Sequence, residues 1–201
     1  MLLDADECQL LLVDYQARVM PAMHEHGAVL QNAVRLGKLA HLFGVPVIGT
    51  EENPQSLGPN IADVSALCGR TLAKMHFSAC ADGLVGWLRP PPARQQGGNA
   101  RSLPRNLQKK EEPEQARNTI VMAGCETHVC LVQTALDLID EEFDVWVVTD
   151  ACASRRERDR DAAFDRLAAA GCELVTTEMV AFEWLRTAEH AAFDDVLRLI
   201  K

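Results

Sequence analysis

A three-layer α/β/α fold built on a mostly parallel, six-stranded, Rossmann-like sheet is the architecture this sequence predicts. Two observations carry it. Short apolar runs of strand length alternate with longer segments of helical periodicity, and the apolar runs are continuous, as strands covered on both faces require. A third observation places the functional groups: the first run closes on a carboxylate, and ligands of such sheets bind outside the carboxyl ends of the strands.

The elements follow in order. CQLLLVDYQ, from Cys8, reads as the first strand. From about Glu25 to Phe43 the residues Val29, Leu30, Ala33, Leu36, Ala40 and Phe43 recur at helical spacing, and Gly44 closes that helix. VPVIGTE is the second strand, LAKMHFSA a short third and TIVMAG the fourth. A helix from about Val129 to Glu141, the strand FDVWVVTDA, a helix from about Arg158 to Ala170 and the strand CELVTT complete the alternation. One segment breaks it. RPPPARQQGGNARSLPRNLQKKEEPEQARN, about 89–118, has prolines, glycines and a charge run but no apolar periodicity, and predicts an exposed, mobile insertion. A tolerated surface loop, a lid and an oligomer contact are its three readings. With no internal repeat, residues 1–201 are expected to form a single domain. Trp146, inside a strand, is expected in the core; Trp87 and Trp184 suit either the core or an oligomer contact.

Composition narrows the function. A chain of 201 residues, 48% apolar and 24% charged, can bury a core without staples. Its apolar runs are a few residues long, whereas a membrane-spanning helix needs about 20, so no membrane partner is expected. The start MLLDADECQLLL is acidic where a signal peptide is basic, which predicts a cytoplasmic protein. Seven cysteines without a C-x-x-C pair predict reduced thiols. A formal net charge of −9 and the lack of a basic helix argue against a nucleic-acid partner.

Three residues at predicted strand ends attract chemistry. Cys130 falls in the first turn of a helix whose apolar face carries Leu131, Ala135, Leu138 and Ile139. A helix N-terminus favours thiolate, so a depressed pKa is expected there, although a lone cysteine is equally at home as a small buried residue. Asp14 closes the first strand, where a carboxylate is costly unless it faces a polar site. Lys74 is a charge inside the apolar run TLAKMHF; a half-exposed edge residue is its plain alternative. Gln16, two residues beyond Asp14, and Phe77, three beyond Lys74, are candidates for the wall of a substrate site.

VDYQ at Val13, KMHFSAC at Lys74 and above all GCETHVCLVQTALDLIDEEFDVWVVTDACASR at Gly124 resemble the isochorismatase-like cysteine hydrolase superfamily, in its isochorismatase domain-containing branch. The resemblance covers nearly the whole chain outside the insertion. It implies a catalytic triad of Asp14, Lys74 and Cys130, with Cys125 not the nucleophile. It further implies an oxyanion hole from the backbone N–H groups of Glu126 and Cys130, a cis peptide bond just before Glu126, and Thr127 among the substrate-binding residues. The implied reaction is hydrolysis of a small amide, carbamoyl or related acyl substrate through a thioester. Relatives are commonly oligomeric, so a homo-oligomer is expected.

The residues also speak to alternatives. Nicotinamidases of the superfamily hold zinc through Asp-x-His and a further His after the second strand; TEENPQSLGPN offers Glu51 and Asn53 but no histidine, so neither a catalytic metal nor any cofactor is expected. His76 and His128 suit site-lining or surface positions. A phosphatase Cys-x5-Arg pattern fails at Leu136, and DYQARVMPAM has no glycine for a phosphate loop. The remaining rival is a non-catalytic redox-sensing or protein-interaction module on the same fold.

Overall fold

The computed structural model describes residues 1–90 and 117–201. The mobile-insertion expectation therefore falls mostly outside the described residues.

Six strands form one sheet: β1 (Cys8–Val13), β2 (Val47–Glu52), β3 (Arg70–Lys74), β4 (Thr119–Gly124), β5 (Asp144–Val148) and β6 (Glu173–Val175). Their order is β3-β2-β1-β4-β5-β6, and every neighbouring pair is parallel, so "mostly parallel" becomes wholly parallel among the described residues. β1 is buried along its whole length, as its mainly apolar sequence suits, and its one polar side chain, Gln9, donates to Leu88 O at 3.0 Å and Arg117 O at 2.8 Å.

The helices are α1 (His26–Leu42), α2 (Pro54–Leu57), α3 (Ala62–Ser65), α4 (Leu84–Leu88), α5 (Val132–Asp140), α6 (Glu157–Ala169), α7 (Thr177–Leu185) and α8 (Phe193–Ile200). α1 packs with α7 and α8, and α5 packs with α6. Parallel crossovers are right-handed as a rule, and running outward from a central β1 in both directions they send the connections of the two halves to opposite faces of the sheet, which gives the three layers. One detail differs from expectation, and one alternative is decided. Trp146 is only half-buried, whereas Trp184 is buried and its ring stacks at a tilt 5.9 Å from Phe43, joining α7 to the end of α1. Among the described residues no helix is long and apolar enough to cross a membrane.

One glycine fixes the approach of the central strands. Gly124 ends β4 opposite Val13, and a Cβ there would lie 2.6 Å from Val13 Cβ and 2.7 Å from Val13 O. Only a residue without a side chain lets the ends of β1 and β4 come this close.

Candidate active site

The strand order reverses between β1 and β4, and the crevice past their carboxyl ends is open to ligands by topology alone. Asp14 is the first residue beyond β1. It takes a left-handed conformation (φ 55°) and is held by its N–H donating to Thr50 O at 3.2 Å. Its carboxylate is 2% exposed; Oδ1 accepts from Thr50 Oγ1 at 2.7 Å and Oδ2 pairs with Lys74 Nζ at 2.9 Å.

Lys74 ends β3. Although β3 is an edge strand, the side chain turns inward and has no solvent exposure, so the half-exposed alternative fails. Its ammonium reaches Asp14, Glu52 Oε2 at 2.8 Å and the Phe77 carbonyl at 3.2 Å. Burial acts to lower its pKa, but the Asp14 charge, Cys130 and Glu52 outweigh it, and the net shift is upward. Lys74 is therefore a fixed ammonium.

Cys130 lies in a π-helical turn, Thr127–Leu131, that leads into α5. π-turns are uncommon and often mark functional positions. Its Sγ, one carboxylate oxygen of Asp14 and one of Glu52 lie within 4.8 Å of one another. The depressed thiol pKa expected from the helix start is overturned. Burial pushes the Cys130 thiol up, the Asp14 charge pushes it further, and Lys74 only partly opposes them. Burial and the two carboxylates brought by β1 and β2 both favour the protonated form, against the local pull of the helix start.

Cys125 is wholly buried, its Sγ against Met20 Sδ at 2.9 Å, and burial holds its thiol well above the ordinary range. It is a core thiol. The peptide bond before Glu126 is trans, since the described residues contain no cis bond; the chain turns instead through Glu126 in the left-handed region (φ 50°). The Cys130 N–H donates to the Glu126 carbonyl at 3.1 Å, and a parallel bridge joins Cys125 to Ala153 just before it.

Two residues expected to touch substrate also hold the main chain. Thr127 is fully buried, and both its N–H (3.0 Å) and its hydroxyl (2.9 Å) donate to Ala153 O, which ties the π-turn to the segment after β5. Gln16 is fully buried too: its Nε2 donates to Glu52 O (2.9 Å) and Gly58 O (2.6 Å), and its Oε1 accepts from Glu52 N (3.0 Å). It clamps the end of β2. Phe77 meets the centre through its carbonyl, and the residue itself is 53% exposed. His76 is exposed beside Asp82, and His128 Nδ1 lies 2.9 Å from Ser154 Oγ. Asp14, Glu52 and Cys130 have the donor types of a cation site, but the Lys74 ammonium already lies within 3 Å of both carboxylates.

Residues 106–179 match the model of the Isochorismatase domain family. Isochorismatase domain-containing protein 2A of Mus musculus is 31% identical over 192 residues, 96% of this chain and 82% of its own length. The chain belongs to the isochorismatase domain-containing family. Among solved structures, the MAR1 ribonuclease of Caenorhabditis elegans superposes with a TM-score of 0.83 at 24% identity, covering 100% of this chain and 92% of that one. The YcaC gene product of Escherichia coli, described as an octameric hydrolase of unknown specificity, superposes with a TM-score of 0.77 at 26% identity, covering 100% and 95%. The isochorismatase-family hydrolase fold thus accounts for the whole described chain.

Sequence reasoning missed Thr50 and Glu52 in this isochorismatase-family site. The strand period holds the signal for Glu52: in the β2/β3 register it stands opposite Lys74, while Glu51 points away and accepts the Asn60 N–H at 2.8 Å.

Proposed function

We propose that this isochorismatase-family protein is a cysteine hydrolase acting on a small amide, carbamoyl or related acyl substrate, with Cys130 as nucleophile, Asp14 as proton acceptor and Lys74 as the fixed positive charge. The observation that carries this reading is the convergence, at the strand-order reversal, of a thiol, a carboxylate and an ammonium drawn from three separate strand ends and shielded from water. A buried lysine between two carboxylates has little structural purpose that an apolar residue would not serve as well.

The chemistry runs in two halves. Asp14 takes the Cys130 proton as Sγ bonds to the acyl carbon, and the carbonyl π pair moves onto oxygen, where the Glu126 N–H can receive it. The Cys130 N–H can join only by sharing its bond to the Glu126 carbonyl. Asp14 then passes its proton to the leaving nitrogen as the C–N bond breaks, which leaves a thioester on Cys130. In the second half water attacks the thioester and gives a proton to Asp14, and as the C–S bond breaks Asp14 returns that proton to Cys130 Sγ, so the acid departs and the thiol and carboxylate are restored. Lys74 stays charged throughout, stabilising thiolate whenever it forms.

The excess of negative charge on the chain, −9, opposes a polyanionic substrate such as RNA and favours small molecules. A homo-oligomer is the expected state, supported by the octameric YcaC neighbour.

The test is ammonia or amine release from a panel of small amides, ureas and carbamates, with the acyl-enzyme on Cys130 captured by mass spectrometry. Turnover by the protein and none by Cys130→Ala, with an unchanged fold, is the expected result. Full activity in Cys130→Ala would sink the assignment. Rapid peroxide oxidation of Cys130 with no hydrolysis across the panel would establish the redox-sensing alternative in its place.

A further inference from the structure

Glu52 enters the centre as directly as Asp14. It ends β2 opposite Lys74, its Oε2 accepts from the lysine ammonium at 2.8 Å, and its carboxylate lies within 4.8 Å of both Asp14 and Cys130 Sγ. Its backbone is held on both sides by Gln16, with bonds of 2.9 and 3.0 Å, so the side chain springs from a fixed point. That side chain keeps 12% exposure where Lys74 has none, and Oε1 accepts no bond from the described residues.

We propose that Glu52 sets the charge selectivity of the site: it directs the thiol to neutral or cationic small molecules bearing N–H donors beside the scissile acyl carbon, such as ureas, amino-substituted amides and acylated amidines, and turns away carboxylates. The proposal rests on the cysteine-hydrolase reading above and specifies its substrate class.

The charges near the thiol carry the argument. Two carboxylates against one ammonium leave one excess negative charge while Cys130 is a thiol. The nearby ionisable groups do not cancel it. Glu126 is paired with Arg155 at 2.7 Å and lies beside His128 at 3.5 Å, and His76 faces Asp82 at 3.1 Å. Transfer of the Cys130 proton to Asp14 moves the negative charge from oxygen to sulfur and leaves the total unchanged. A substrate carboxylate would bring a second unbalanced charge into a site shielded from water, where like charges repel most strongly. A substrate N–H or amidinium would instead find an acceptor in Glu52 Oε1, close to the nucleophile. Asp14 is already met by Thr50 and Lys74 and takes the Cys130 proton, which leaves Glu52 Oε1 as the acceptor for a substrate N–H.

The experiment labels the native protein with three methanethiosulfonates of different charge: the trimethylammonioethyl cation, the neutral methyl compound and the sulfonatoethyl anion. Modification of the Cys130 peptide is followed by mass spectrometry at low salt. The cation is expected to react at least tenfold faster than the anion. Glu52→Gln is expected to reduce that ratio at least fivefold, and Glu52→Asp, which keeps the charge, to preserve most of it. Thermal unfolding of each variant reports whether the fold survives, and the charge-conserving variant separates loss of charge from loss of shape. Equal rates for cation and anion in the native protein, or a ratio that Glu52→Gln leaves unchanged, would overturn the proposal while leaving the nucleophile intact. A Cys130 that reacts with none of the three until the protein is unfolded would remove the hydrolase reading, and the selectivity proposal with it.

Discussion

The Lys74 ammonium lies 2.9 Å from the Asp14 carboxylate, with the lysine side chain wholly out of solvent and the aspartate nearly so. A pair of this kind costs more to break than it contributes when made, since removal of one partner strands the other charge in the interior. Lys74→Met is therefore expected to destabilise the fold by about 3 to 5 kcal/mol. Lys74→Met combined with Asp14→Asn should recover part of that loss. Urea unfolding of the two single variants and the double variant measures the coupling, and simple additivity would show the pair to be energetically idle.

Thiol reactivity and turnover should move in opposite directions at Asp14. The Asp14 charge raises the Cys130 pKa and Lys74 lowers it. Asp14→Asn should thus speed alkylation of Cys130 at pH 8 while abolishing hydrolysis, because it favours thiolate but removes the proton acceptor. Lys74→Met should slow alkylation. Iodoacetamide rates with peptide-level detection, from pH 7 to 9.5, decide the matter; a faster thiol in the lysine variant would contradict the assigned charges.

Alkaline stability follows from other thiols that are buried or half-buried. Burial pushes Cys8, Cys68, Cys80 and Cys172 up from 9.0 to about 11, and Cys152 to about 12. A folded-state pKa above the unfolded one means that the native state holds more protons between the two values, so stability falls as pH rises. The contribution is complete below pH 9 and is lost progressively through about pH 11. Melting temperatures between pH 8 and 11 should decline from pH 9 onward; a flat profile would show these thiols to be more hydrated than the packing implies.

Gly124→Ala is expected to harm stability and site together. Its new Cβ would meet Val13 Cβ and the Val13 carbonyl, atoms fixed to the strand that cannot swing aside as the end of a long side chain could. Overpacking of this kind typically costs about 1 to 3 kcal/mol. The forced separation of β1 from β4 should also move Asp14 away from Cys130, so activity should drop more than the stability loss alone explains, as read by kcat at temperatures well below the transition.

Gln16→Leu removes three bonds to the main chain of the half-buried Glu52 and Gly58. A cost of about 1 to 3 kcal/mol per stranded group is the relevant scale. A lower urea midpoint is expected, and a pure KM effect with full stability would restore Gln16 to the substrate contacts first expected of it.

How much of this was legible beforehand varies by residue. β1 and β4 stood out because strands buried on both faces are apolar at nearly every position. β3 was read too far toward its carboxyl end: the strand stops at Lys74, and Met75, His76 and Phe77 are exposed residues of the turn beyond it. α7 and α8 went unpredicted. α7 is apolar on more than one side and shows no clean stripe, although Thr176, whose side chain caps Met179 N, is a start signal the sequence does contain. Within the site, Asp14 and Lys74 were visible as charges in apolar runs. Glu52 was not, because which of two adjacent glutamates faces the centre depends on pairing with a strand some twenty residues away. The acidity of Cys130 was misjudged for a related reason: a helix start is a local feature, and the groups that dominate the thiol arrive from distant segments.

The reversal of strand order between β1 and β4 divides the centre between two halves of the chain. Asp14, Glu52 and Lys74 all come from the first three strands, and Cys130 follows the fourth. The first half alone would hold two carboxylates and an ammonium with nothing to activate, and the second a thiol with nothing to receive its proton. Hydrolysis by this chain is thus a readout of the β1/β4 pairing itself: a folding intermediate with one half formed is silent, and two separately made halves recover function only by finding each other.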